Sequence, residues 1–132
     1  MIKFQELKVG DLVIAEYDGE KWEGTVKALN REDKEVCVQT EVQEFWFKPE
    51  QLHGIPLNDE ELVKLGFIRQ VNDDNSIKYL KGPFRVFLRN KDSFSDLEIW
   101  YREDDRKLHQ PISVHELQNH YNQMTKVDLT RN

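Results

Sequence analysis

The alternation of apolar and polar positions predicts β-strands in both halves of the chain. In the first half it runs through "DLVIAEYD", "KWEGTVKAL", "VCVQTEV" and "QEFWFK", with a hairpin turn signal at Asp18-Gly19. Gly24, inside the second segment, indicates a bulge or a sharp bend. Five short strands over about 55 residues predict a small closed or half-closed β-barrel, because closure removes exposed sheet edges.

The second half repeats the strand pattern in "FIRQV", "SIKYLKG", "FRVFLRN" and "DLEIWYRE". These segments predict an antiparallel sheet of roughly three to five strands with helices against one face. In "FRVFLRN" the residues Phe84, Val86 and Leu88 share one side of the strand. We expect "DDRK" to form a turn and "LHQPI" to form a short edge segment.

A short helix is predicted for "LNDEELVKLGF". Asn58 is a good N-cap, and Glu61 follows three positions later, as in a capping box. Leu57 is placed to pack on Leu62 as a hydrophobic staple. Gly66 is placed to end the helix in a left-handed conformation.

A second helix is predicted for "SVHELQNHYNQMTKVDL". Ser113 and Glu116 form an S-x-x-E capping box. An apolar stripe follows at helical spacing, made of Val114, Leu117, Tyr121 and Met124.

His115 and His120 in this helix raise the question of a metal site. The zincin motif needs two histidines four positions apart, whereas these are five apart. At about 100° per residue they point some 140° away from each other, so they cannot grip one ion. We therefore expect a packing helix and no metal ligand.

These elements predict an α+β protein in two parts. Residues 1–57 are expected to form the small β-barrel. Residues 58–132 are expected to form the short helix, the antiparallel sheet and a C-terminal packing helix.

Charge and cysteine content narrow the cellular setting. The formal net charge is −6, and residues 1–57 hold 7 basic against 12 acidic residues. An acidic first half is a poor generic phosphate binder. Cys37 is the single cysteine and suits a reducing compartment. The opening "MIKFQELKVGDL" lacks the apolar core typical of a signal peptide, and no apolar run is near the roughly 20 residues that span a bilayer, so a cytoplasmic protein is expected.

Two motifs resemble a family of small uncharacterised proteins encoded in prophages and mobile elements of gut Bacteroidetes. "VHELQNHYNQMT" is similar to its terminal VH-x-LQN-x-Y helix, and "GIPLNDEELVKLGF" is similar to its central IPL-helix-LGF block. The chain departs from that pattern at His120, where the family usually has leucine, and at "KVDL", which replaces a Gly-Glu-Glu-Leu ending. The resemblance implies a phage-related origin and no particular activity.

The first half also resembles SH3-like barrels of the Tudor and KOW kind, through "LKVGDLVIAEY", "GEKWEGTVKAL" and "FWFKPEQL". Many Tudor domains hold a methylated lysine or arginine in an aromatic cage, so the resemblance implies candidate binding residues in the strands. Aromatic residues in strands more often fill a core, and a general protein-binding surface is favoured over a cage. The candidates are Tyr17, Trp22, Phe45, Trp46 and Phe47.

A basic-aromatic face is the alternative site. Cations interleave with Tyr79 and Phe87 on two neighbouring strands, as in surfaces that bind single-stranded nucleic acid. A solvated sheet face with Asp96 and Glu98 as cross-strand partners is favoured, because the chain is acidic. The cations are Lys78, Lys81, Arg85, Arg89 and Lys91.

Catalytic patterns are weak, so we expect neither an enzyme nor a cofactor. Cys37 lies between two valines and indicates core, and Ser93 and Ser95 lack a nucleophile-elbow glycine pattern. The function that follows is a non-enzymatic interaction module that binds protein through the barrel, with nucleic-acid binding through strands 78–91 as the alternative.

Overall fold

The computed structural model describes residues 1–90 and 93–131. In that part of the chain ten strands form two five-stranded antiparallel sheets, accompanied by two α-helices. The predicted α+β class is confirmed. The strands are β1 (Leu12–Tyr17), β2 (Glu20–Asn30), β3 (Glu35–Thr40), β4 (Glu44–Phe47), β5 (Leu52–His53), β6 (Ile68–Val71), β7 (Ile77–Lys81), β8 (Phe84–Leu88), β9 (Leu97–Tyr101) and β10 (Asp104–Leu108); the helices are α1 (Asp59–Lys64) and α2 (Val114–Thr125).

The chain divides into two compact units. The first contains Met1–Ile55 together with Ser113–Asn119, and the second contains Pro56–Ile112 and the residues from His120 onward. Residues 113–119, in the first half of the C-terminal helical segment, therefore belong to the same unit as the N-terminal strands.

The first sheet has the strand order β4-β3-β2-β1-β5. Asp18 and Gly19 make the predicted hairpin turn between β1 and β2, with φ values of 54° and 79°. The ends of the sheet are β4 and β5, and they are not paired with each other among the described strands. The sheet is therefore open, and a closed barrel is not formed.

Gly24 lies at a close approach of β2 to β3. A Cβ atom at this position would lie 2.5 Å from Val38 Cγ1 and 2.8 Å from the Gln39 carbonyl oxygen. The bulge predicted at Gly24 instead falls between Val26 and Ala28, where the β2–β3 register shifts.

The core of the first unit lies on one face of its sheet. It contains side chains from all five strands and the N-terminal segment, and they include Ile2, Leu7, Val13, Ala15, Val26, Val36, Val38, Phe47 and Leu52.

The second sheet has the strand order β10-β9-β8-β7-β6. Phe84, Val86 and Leu88 are buried on one side of β8, as the alternation predicts. The "DDRK" segment is a strand and not a turn, because the chain already reverses at Arg102, which has a left-handed φ of 57°. Its exposed charged residues suit an edge strand, where no core-facing alternation is required.

Both helices begin at the predicted caps. The Asn58 side chain accepts a hydrogen bond from the Glu61 backbone N–H at 2.9 Å, and Gly66 follows α1 with a φ of 91°. At α2, the Glu116 carboxylate accepts from the Ser113 backbone N–H at 3.0 Å. Neither described helix has the length and apolar character needed to cross a bilayer. The predicted stripe of α2 is buried at Val114, Leu117, Tyr121 and Met124.

Candidate functional site

Strand register brings four aromatic side chains to the core face of the first sheet. Ala15 pairs with Trp22 and Tyr17 pairs with Glu20 across β1 and β2. Phe45 and Phe47 pair with Val38 and Val36, which are core residues of β3. Because paired and alternate residues share a face, Tyr17, Trp22, Phe45 and Phe47 extend the core row toward the end of the sheet.

A cavity of about 290 Å³ opens at this end of the sheet. The cavity is called the aromatic pocket below, and it is lined by Tyr17, Asp18, Glu20, Trp22, Thr40, Val42, Gln43, Phe45 and Phe47. Four of the five aromatic residues that the sequence singled out thus line one site.

Three rings of the aromatic pocket contact one another in series. The ring centroids of Tyr17 and Phe45 are 5.8 Å apart with planes tilted by 51°. Phe45 and Phe47 are 5.7 Å apart and edge to face. Phe47 is buried, whereas Tyr17 and Phe45 are 54% and 44% exposed. The deep ring therefore packs into the core, while the outer rings remain partly exposed at the pocket.

The rim of the pocket is held by Thr40. Its hydroxyl oxygen accepts from the backbone N–H groups of Val42 and Gln43, both at 3.2 Å. The hydroxyl also donates to the Gln43 carbonyl at 3.0 Å. The β3–β4 turn, which carries Val42 and Gln43 at the cavity wall, is therefore fixed by a side chain inside the turn.

The charges that line the pocket are negative. Asp18 and Glu20 belong to the hairpin between β1 and β2, and both side chains are exposed. Aromatic faces and carboxylates both attract cations. This lining favours a cationic group over an anionic or neutral one.

Trp46 lies outside the aromatic pocket. It pairs with Cys37 on the opposite face of β4 and is 44% exposed. Four of the five candidate aromatic residues are therefore brought together and the fifth is not.

Cys37 has the surroundings of an inert thiol. It is buried, and burial raises the pKa of the thiol, as does the nearby Glu44 carboxylate. Both effects disfavour the thiolate, which is the reactive form.

The predicted basic face is only partly assembled. Lys78, Arg85 and Arg89 follow the outward-facing positions of β7 and β8, and Arg89 pairs with Glu98 at 3.2 Å. Lys81 is directed elsewhere, because its ammonium group donates to the Leu65 carbonyl at 2.8 Å. Lys91 lies outside the described residues.

The sequence analysis missed a ring on this face. Trp100 of β9 lies parallel to Phe87, with ring centroids 6.4 Å apart and an interplanar angle of 10°. The alternation of β9 placed Trp100 opposite Leu97 and Ile99, but adjacency to Phe87 required the register of β8 with β9.

The two histidines of α2 make separate contacts. His115 Nδ1 lies 2.8 Å from Ser113 Oγ, and His120 Nδ1 lies 2.7 Å from a guanidinium nitrogen of Arg106. Burial lowers the pKa of His115, while the carboxylates of Asp11, Glu116 and Glu6 oppose that shift. His115 is thus a buried imidazole of the first unit that is hydrogen-bonded to Ser113, the capping residue of α2.

Gln118 is a structural residue that sequence reasoning did not identify. Its buried carboxamide accepts from the Leu12 backbone N–H at 2.7 Å and donates to the Gly10 carbonyl at 3.0 Å. Asn119 donates to the Glu6 carbonyl at 2.8 Å. The "LQN" motif therefore bonds backbone groups more than 100 residues away.

Comparison of the chain with protein-family models, with curated proteins and with solved structures gave no match. The resemblance to the mobile-element family and to Tudor and KOW barrels therefore stays a prediction.

Proposed function

We propose that the chain is a non-enzymatic interaction module, of phage or mobile-element origin, that works in the cytoplasm. It binds a protein partner by taking a cationic side chain of that partner into the aromatic pocket. The single observation that carries this proposal is the convergence of Tyr17, Trp22, Phe45 and Phe47 on one cavity beside two carboxylates.

We also propose that the first unit is an SH3-like fold with an open side. The support is its strand order, β4-β3-β2-β1-β5, in which a short 3₁₀ turn at Pro49–Gln51 leads into a last strand that returns to β1. Such small sheets commonly bind ligands with residues at their strand ends and loops.

The chemistry of the pocket sets the ligand class. A lysine or arginine head group, or a methylated form of either, offers positive charge to the ring faces and to Asp18 and Glu20. Methylation spreads the charge over an apolar surface. A methylated head group is therefore more favourably placed among aromatic rings than in water. A cavity of about 290 Å³ has room for one such head group.

Binding of short peptides to the full chain tests the proposal. Peptides that carry lysine, arginine or trimethylated lysine are titrated by calorimetry against wild type, Tyr17→Ala and Phe45→Ala. Loss of one ring should weaken binding roughly 3- to 30-fold, which corresponds to about 0.5–2 kcal/mol of cation–π attraction.

Trp46→Ala is the matched control for Phe45→Ala. The two residues are neighbours with equal exposure, and they lie on opposite faces of β4. Equal weakening by both variants, or binding of none of the peptides, would contradict the proposed function.

A further inference from the structure

The second sheet has an outward face of mixed aromatic and basic character, called the platform below. Burial alternates along β8, so Arg85 and Phe87 point away from the buried row of Phe84, Val86 and Leu88. Cross-strand pairing places Lys78 opposite Phe87, and Trp100 opposite Arg85. The platform is therefore made of two adjacent rows that each contain one ring and one cation: Lys78 with Phe87, and Arg85 with Trp100.

The two rings of the platform lie in parallel planes. Phe87 and Trp100 are parallel to within 10°. Trp100 is 37% exposed, although tryptophan is usually among the more buried side chains of a small protein. Interaction with the Trp100 indole N–H lowers the pKa of the Asp105 carboxyl, which pairs with Trp100 across β9 and β10. Part of the indole ring is therefore accessible to a ligand.

The charge of the platform is opposite to that of the whole chain. Strand register puts the cations Lys78, Arg85 and Lys107 on the same face as the carboxylates of Glu98 and Asp105. Glu98 is already paired with Arg89. Among the described residues, Lys78, Arg85 and Lys107 make no salt bridge. In a protein of net charge −6, this face remains positive.

Trp100 lines part of an open depression. The depression has a volume of about 530 Å³, and its lining includes Arg85, Arg102, Glu103 and Asp105. Guanidinium groups suit phosphates, and carboxylates accept hydrogen bonds from the amino groups of bases. A polar depression beside a partly exposed ring therefore suits a planar, hydrogen-bonding group that carries a phosphate.

We infer that the platform binds single-stranded nucleic acid, with bases stacked on Phe87 and Trp100 and phosphates beside Lys78 and Arg85. Stacking on aromatic rings combined with backbone contacts to cations is the general mode of single-strand binding. A duplex offers no free base faces, so it is a poor ligand for this surface. The inference rests on the second unit alone and is independent of the aromatic pocket.

Fluorescence anisotropy with the full chain tests the inference. Labelled 12-residue oligomers of dT and of U, and a DNA duplex of the same length, are titrated at several salt concentrations. Both single strands should bind more tightly than the duplex, and the comparison of dT with U shows whether the natural ligand class is DNA or RNA. Trp100→Ala should weaken single-strand binding roughly 5- to 100-fold.

The charge variant is Lys78→Glu combined with Arg85→Glu. It should weaken binding and reduce the slope of log K against log salt by about 0.7 for each phosphate that is no longer neutralised. Arg89 is left intact in this variant, because its replacement would leave the buried Glu98 carboxylate without its partner. Lys27→Glu, an exposed reversal in the first unit, and Trp46→Ala are the matched controls.

Circular dichroism confirms that each variant is folded before titration. If Trp100→Ala is unfolded, the charge variant decides alone, because Arg85 is exposed and its replacement leaves the core intact. Absence of single-strand binding, binding that is unchanged in the platform variants, or tighter binding of polyglutamate than of either oligomer would overturn the inference. The last result would identify an acidic protein as the occupant.

Discussion

His115 illustrates what a single position reveals and what it hides. Its spacing from His120 shows that the two imidazoles point in different directions, and this follows from helix geometry alone. The burial of His115 beside Asp11 and Glu6 could not be inferred, because both carboxylates are more than 100 positions away in the sequence. Neighbouring residues determine the local geometry of a helix, whereas the environment of a side chain depends on distant segments.

Burial of His115 makes folding stability depend on pH. In the unfolded chain its imidazole takes a proton near the usual pKa of 6.5, whereas in the folded chain burial lowers that pKa. The neutral, buried imidazole therefore contributes fully to stability above pH 6.5. That contribution is lost as the pH falls from 6.5 through the lowered pKa of the folded state. The free energy of unfolding should decrease below pH 6.5 with a slope of at most about 1.4 kcal/mol per pH unit.

Urea unfolding at several pH values between 5 and 7 measures this slope. A change of about 1 kcal/mol over one pH unit is large enough to be measured in this way. His115→Gln should flatten the curve, and His109→Gln, at an exposed imidazole, is the control. Burial raises the pKa of Asp11, so its contribution has the opposite sign and is lost as pH rises through that raised pKa. Identical slopes in wild type and His115→Gln would contradict the attribution of this pH dependence to His115.

At the scale of elements, periodicity predicted most strands and both helices. Strands with one buried face, such as β8, alternate clearly and were placed correctly. The edge strand β10 was misassigned as a turn, because its paired aspartates resemble turn residues and few of its positions face the core. The alternation of apolar and polar residues therefore identifies strands that have one buried face. It fails at the edge strands of a sheet, where most positions are exposed and no alternation is required.

The apolar stripe of α2 supports a specific stability prediction. Leu117 is fully buried, so Leu117→Ala removes packed atoms and leaves a cavity. The free energy of unfolding should fall by roughly 2–5 kcal/mol. Val127→Ala, at a residue that is 57% exposed, is the control and should change stability little. A change below about 1 kcal/mol for Leu117→Ala would mean that α2 does not pack as described.

At the scale of the whole molecule, the sequence predicted a division into residues 1–57 and 58–132. Residues 1–57 were expected to form one part, and the "LQN" motif of α2 was assigned to the other. The first unit also contains Ser113–Asn119, whose Gln118 bonds the backbone at the start of β1. Side-chain bonds to backbone over such separations leave no periodic signal, so sequence patterns could not reveal them.

A fragment of residues 1–57 should therefore be less stable than the same residues in the full chain. It lacks Gln118, so the Leu12 N–H and the Gly10 carbonyl are left without their buried partner. Removing the partner of a buried donor costs about 1–3 kcal/mol. Thermal unfolding followed by circular dichroism compares the fragment with the full chain and with full-length Gln118→Ala. Equal melting temperatures for all three would show that this connection has no role in stability.

The central claim is that the aromatic pocket recognises positive charge. The measurement that tests it most directly is a titration of the ¹⁵N-labelled full chain with two peptides, one carrying trimethyllysine and one carrying its neutral carbon isostere. The two side chains have the same shape, so they differ only in charge. We predict shifts at Tyr17, Trp22 and Phe45 with the cationic peptide, and affinity at least about fivefold weaker for the isostere. Equal affinities, or shifts that avoid those three residues, would contradict the account.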